Sequence, residues 1–154
     1  MAKTEWSPVE LKSKAEAYCA AAEHCESEVR TKLRQWNCDT RTADEIVNSL
    51  YTGNFLSDER YCRAFVHDKL LYQHWGRVKI EYMLRARHLP PAAIRAALDD
   101  MDETEYFRVL ARLAESKKRT LPAGDDDARN ALARFLLQRG FTADEIRRLN
   151  KTNE

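Results

Sequence analysis

The sequence predicts an all-α protein built as an elongated array of three tandem three-helix repeats, and three observations carry that prediction. Its 154 residues hold only four glycines and are rich in Ala, Leu, Glu and Arg, a composition that suits helices. No strand-like alternation of apolar and polar residues is sustained. Apolar positions also recur at a fixed period: Val29, Leu33 and Cys38 correspond to Ile80, Leu84 and Leu89, and again to Leu132, Leu136 and Phe141, at offsets of 51 and 52 residues. Self-similarity of this kind marks stacked units, because one such unit cannot bury its apolar face alone.

Each element has its own local signal. Ser7-Pro8-Val9-Glu10 reads as a capping box with proline at the first helical position and opens the first helix. Val29 and Leu33, four residues apart, place the second helix. Thr42-Ala43-Asp44-Glu45, a cap followed by two acids, opens the third, which carries Ile46 and Leu50. In the second unit Ser57 caps a helix through Asp58-Glu59-Arg60. The next begins near Trp75 and turns Ile80 and Leu84 inward, and Pro90-Pro91 start a helix carrying Ile94 and Leu98. In the third unit Asp102 or Thr104 caps the first helix and the run Asp125-Asp126-Asp127 the second. Thr142-Ala143-Asp144-Glu145 repeats the tetrapeptide of the first unit ahead of Ile146 and Leu149. The expected units are residues 1–55, 56–100 and 101–154.

Composition narrows the chemistry. Four cysteines, Cys19, Cys25, Cys38 and Cys62, lie in the first 62 residues without a CxxC pair, which fits free thiols in a reducing cytoplasm. The N-terminal residues form no apolar signal region and no run approaches a membrane span, so the expectation is a soluble cytoplasmic protein without a membrane partner. Glycine-rich phosphate loops are absent, and the paired carboxylates sit at helix ends where capping accounts for most of them, Asp99-Asp100 at a helix C-terminus being the exception, read as solvated charge or a partner's contact patch. His24, Cys25 and Cys19, or His67 and His74, are too loosely spaced for a zinc site, so neither metal nor cofactor is expected. No setting that lowers a thiol pKa is recognisable. The chain is expected not to be an enzyme.

Charge is sorted by segment. The totals are 26 basic and 25 acidic residues, yet Arg60 to Arg95 holds eight Lys or Arg against only Asp68 and Glu81. Ala96 to Tyr106 then holds five acids and no base. Around Ile80 and Leu84 the cations Arg77, Lys79, Arg85 and Arg87 spread over the remaining helical arc, and Arg60, Arg63 and Lys69 add positive charge from the helix before. Such a set is either a solvated face whose long stems cover apolar surface, or an electrostatic contact with phosphates or an acidic protein surface. A second basic set, Lys117-Lys118-Arg119, precedes the loop TLPAGDDD.

Three motifs in order make the chain resemble the RecX regulatory proteins, modulators of the RecA recombinase. Leu56-Ser57-Asp58-Glu59-Arg60-Tyr61-Cys62 is similar to the family's Leu-x-Asp-Glu-Arg-[Phe/Tyr]-Ala leader. Gly76-Arg77-Val78-Lys79-Ile80-Glu81-Tyr82-Met83-Leu84 is similar to its Gly-Pro-x-[Arg/Lys]-Ile-x-x-Glu-Leu. Glu28-Val29 and Lys32-Leu33 match its first-unit helix. Arg77 stands where proline is usual, Met83 where glutamate is, and Cys62 where alanine is.

The resemblance covers about Val9 to Leu149 and implies tandem three-helix units that bind in the groove of the RecA filament on single-stranded DNA. It implies restraint of RecA ATPase and strand exchange. On that reading Arg60, Arg63, Arg77, Lys79, Arg85 and Arg87 are the candidate contacts to RecA or to the single-stranded DNA beside it. An array with polar ends is expected to be a monomer. Two other readings stand beside it. One is a helical DNA-binding protein acting without RecA. The other is a repeat scaffold for an unrelated protein, anchored through Trp6, Trp36 or Trp75.

Overall fold

A computed structural model describes residues 5–122, 124 and 126–152, and these form nine α-helices and no strand. The helices are α1 (Pro8–Ala21), α2 (Glu26–Gln35), α3 (Thr40–Thr52), α4 (Asp58–Leu71), α5 (Arg77–Ala86), α6 (Pro91–Asp99), α7 (Glu103–Lys118), α8 (Asp126–Gln138) and α9 (Ala143–Thr152). They pack in threes, α1–α3, α4–α6 and α7–α9, with α4 against α7 across one joint. The accessible surface is 10084 Å². A compact monomer of this mass exposes roughly 8000 Å², so the chain is elongated.

Most of the expected caps form. Ser7 and Glu10 make the reciprocal box at α1, the Ser57 hydroxyl accepts from the Arg60 amide, and Asp102 accepts from the amides of Thr104 and Glu105. Thr142 and Glu145 exchange bonds of 2.9 and 3.1 Å at the start of α9. The same tetrapeptide in the first unit does not cap. There α3 starts earlier, at Thr40 after Asp39, so Thr42 lies inside the helix. The expected cap at Asp125 lies outside the described residues.

The second helix of every unit ends in the same way. Asn37, His88 and Gly140 have φ of 61, 64 and 99°. The amide that follows each reaches back to Leu33, Leu84 or Leu136, closing the helix through one left-handed residue. This sends Cys38, Leu89 and Phe141 into the unit, and it explains why they share a register.

The apolar interior forms two bodies. One lies within the first unit, around Val29, Leu33, Ile46 and Leu50. The other runs through the second and third units, from Phe65, Ile80 and Leu84 to Tyr106, Leu136 and Phe141, and takes in Cys25 from the first. The third unit is less filled than its siblings. Leu132 is only half-buried where Val29 and Ile80 are fully buried, and Ile146 is half-buried too. With Tyr61 and Tyr106 in register, Val66 and Leu70 of α4 give way to Ala111 and Glu115 of α7. A cavity of about 690 Å³ results, lined by Ala111, Ala114, Leu132, Leu136, Ile146 and Leu149 among others.

A candidate cationic surface across the second and third units

The six candidate cations fall into different settings. Arg60 is an internal strut: its Nε lies 3.0 and 3.1 Å from the two Glu23 oxygens, and its other nitrogens reach Asn54 and the Phe55 carbonyl. Arg77 is neutralised by Glu145 at 3.3 Å and by Glu103, and its guanidinium lies 4.0 Å over the Tyr106 ring. Arg85 is exposed and paired to Glu81 at 2.8 Å one turn back. Arg63 is exposed on α4 with no ion pair among the described residues.

Lys79 and Arg87 are held differently. Residues of a helix step round by roughly 100° each, which puts Lys79, Met83 and Arg87 on one flank of the buried Ile80–Leu84 line and Glu81 with Arg85 on the other. Both Lys79 and Arg87 are half-buried, neither is paired to a carboxylate among the described residues, and each sits over an aromatic ring. The Lys79 ammonium is 4.4 Å from the Trp75 centroid and the Arg87 guanidinium 5.0 Å from that of Phe65. Lys69 lies between them, 5.1 Å from Trp75 and 5.3 Å from Phe65, and among the described residues its one ion pair is with exposed Asp68 at 3.7 Å.

The pattern crosses into the third unit. Arg139 lies 5.0 Å over Phe135 and donates to the Gln73 carbonyl at 3.2 Å, two residues before Trp75. Lys117 of α7 covers Phe135 at 4.9 Å. A continuous series therefore runs Arg87, Phe65, Lys69, Trp75, Lys79, then Arg139, Phe135 and Lys117. Cations laid on rings are attracted by the ring quadrupole and give up side-chain freedom before any partner arrives. Among the described residues no carboxylate pairs with Lys79, Arg87, Arg139 or Lys117, so the surface presents fixed positive charge. Tyr72 and Tyr82, 70 and 71% exposed, flank it.

Trp6 and Trp36 share Lys14, at 3.9 and 4.7 Å, so the first unit carries a smaller version of the same device. Burial pushes the thiols of Cys19 and Cys62 up to about 11, and raises those of Cys25 and Cys38 as well, so all four are protonated at neutral pH. Among the described residues no group of three or more His, Cys, Asp or Glu is placed to hold a metal ion, and no helix is long and apolar enough to cross a membrane.

Models of the three RecX three-helix domains match this chain in order, the first at residues 12–50, the second at 57–98 and the third at 103–149. The regulatory protein RecX of Leptothrix cholodnii is 32% identical over 90% of this chain and 86% of its own length. That of Chlorobaculum tepidum is 30% identical over 83 and 78%. The crystal structure of RecX from Lactobacillus salivarius superposes with a TM-score of 0.83, covering 94% of this chain and 95% of that one. Its 20% identity speaks for the fold alone.

Proposed function

The chain belongs to the RecX family, and from that premise we propose that it is a non-enzymatic regulator that binds RecA and its filament on single-stranded DNA. There it modulates, and chiefly inhibits, the ATPase, recombinase and strand-exchange activities. The observation that carries this reading is the ring-seated cationic series spanning two units of an elongated array. A long, one-sided positive surface suits successive acidic or phosphate-bearing sites along a helical groove better than a single small ligand. Occupying that groove restrains the filament by holding neighbouring protomers, which requires no bond-making by the regulator. The protein acts as a monomer in the cytoplasm, needs no cofactor, and takes its contacts from Lys79 and Arg87 with Lys69, Arg139 and Lys117. In this account Arg60 and Arg77 hold the array together, while Arg63 and Arg85 lie off the series.

The test is binding of the labelled protein to RecA filaments on single-stranded DNA, with Lys79→Glu and Arg87→Glu introduced together. Helicity should be unchanged and affinity should fall by roughly tenfold or more. Arg85→Glu, on the other flank of α5, should have a smaller effect. Unchanged filament binding by the double reversal would remove the surface from the account.

A second reading, direct binding of single-stranded DNA without RecA, is favoured by one observation. Tyr72 and Tyr82 offer open rings three residues from Lys69 and Lys79, the combination on which bases stack beside a positively charged track. It predicts binding to a bare oligonucleotide that weakens steeply with salt.

A further inference from the structure

Helix α5 opens without a side-chain cap of its own, since Gly76 stands at the cap position. Its first amides are satisfied from the third unit instead. Gly76 donates to the Arg139 carbonyl at 2.7 Å, Val78 to the Gly140 carbonyl at 3.1 Å and Arg77 to the Tyr106 hydroxyl at 3.1 Å. The arrangement sets the N-terminus of α5 against the C-terminus of α8, a favourable alignment of helix dipoles. It is close enough that both contacting residues must be glycine. A Cβ on Gly76 would stand 2.4 Å from the Gly140 carbonyl carbon, and one on Gly140 would stand 2.5 Å from the Lys79 Cβ.

Behind this joint lies one buried acid. Glu145 is 7% exposed, the sole buried charged residue among those described. One of its oxygens accepts from the Tyr106 hydroxyl at 3.0 Å and the Thr142 amide at 2.9 Å, and the other takes Arg77 at 3.3 Å. The tyrosine hydroxyl that donates to Glu145 is the one that accepts from the Arg77 amide. The first-unit counterpart, Glu45, is exposed, and among the described residues its ion pair is with Arg41 at 3.7 Å.

We infer that Glu145 is a positioning residue for the cationic surface: it fixes Tyr106 and Arg77, which hold the α5 N-terminus on α8 and so align Lys79 and Trp75 with Arg139 as one surface. The consequence for binding rests on the partner proposed above; the geometry does not. The sign of the effect distinguishes positioning from simple charge. Removing a carboxylate makes the protein more positive, which strengthens binding to a polyanion if charge alone matters and weakens it if Glu145 sets the alignment.

The experiment uses the full chain with Glu145→Gln. Glutamine keeps an oxygen for Tyr106 and Thr142 but turns a donor toward Arg77. Hydrogen exchange at the amides of Gly76, Arg77 and Val78 should quicken roughly tenfold or more while that of Leu84 stays protected. Affinity for RecA filaments should fall several-fold. Arg77→Pro is the second variant, because proline suits the first position of a helix yet deletes the amide bond to Tyr106 and both ion pairs; exchange at Gly76 and Val78 should again quicken. Unchanged protection in both variants overturns the inference, as does faster exchange with unchanged or tighter filament binding. If the unmodified protein does not bind filaments, the partner reading fails, and the exchange data alone uphold or overturn the geometry.

Discussion

Substituting Gly140 by alanine tests the joint between the second and third units from its tightest point. At φ of 99° an L-residue is strained whatever the space around it, at roughly 1–2 kcal/mol. The new Cβ would also stand 2.5 Å from the Lys79 Cβ and 2.6 Å from its backbone nitrogen, so α5 must withdraw. Withdrawal releases the amide bonds of Gly76 and Val78, worth about 0.5–1.5 kcal/mol each. The expected loss is therefore roughly 2–5 kcal/mol. It is read by urea unfolding followed at once by circular dichroism and tryptophan fluorescence, since Trp75 lies beside the joint. His88 occupies the same left-handed position in the second unit at φ of 64°, exposed beside Cys25, Glu26 and Ser27 of the first unit, where a full side chain is accommodated. His88→Gly should be neutral or stabilising by up to about 1 kcal/mol. Equal effects at the two positions, or no loss at Gly140, would refute the claim that this glycine is required by close approach of two units.

Other expectations follow from the same geometry. Arg60→Ala deletes the bonds to Glu23, Asn54 and Phe55 that tie the first unit to the start of α4. With the side chain 36% exposed, the loss should be about 1–2 kcal/mol, and it should appear as earlier melting of the first unit ahead of the fused second and third. Ala111→Val restores the residue that α4 carries at the equivalent position and fills part of the third-unit cavity; a gain of about 0.5–1 kcal/mol should register in the same urea series. A thiol reagent at pH 8 should label Cys38 first, as the half-buried member of the set. Cys19, Cys25 and Cys62 should react only on unfolding, because burial holds them protonated. Raising the pH toward 11 speeds the reaction by increasing the thiolate, and fast labelling of Cys62 in the native protein would contradict its burial.

Much of the fold was legible because it is written locally. The capping box at Ser7, the cap at Ser57 and the apolar spacing of Ile80 and Leu84 each lie within a few residues of what they specify. The repeat offset also located Cys38, Leu89 and Phe141, although their shared cause, a left-handed residue before each, is not marked by one residue type: Asn, His and Gly fill it. The surface was only half legible. Counting charge on α5 selects Lys79 and Arg87 but equally Arg77, whose partner Glu145 is 68 residues away and joins it only when units stack. Arg60 was concealed likewise by Glu23, 37 residues earlier. A better signal was present in the chain. Phe65 and Lys69, Trp75 and Lys79, and Phe135 and Arg139 all place a cation four residues after an aromatic ring. That spacing seats the cation on the ring and would have brought Arg139 into the set.

The most direct measurement is ATP hydrolysis by RecA filaments on single-stranded DNA as this protein is titrated in, with bare-DNA binding followed at several salt concentrations. The account predicts inhibition at protein levels well below that of RecA, lost in the Lys79→Glu, Arg87→Glu double variant and not reproduced by binding to bare DNA. Undiminished hydrolysis at every ratio would contradict it.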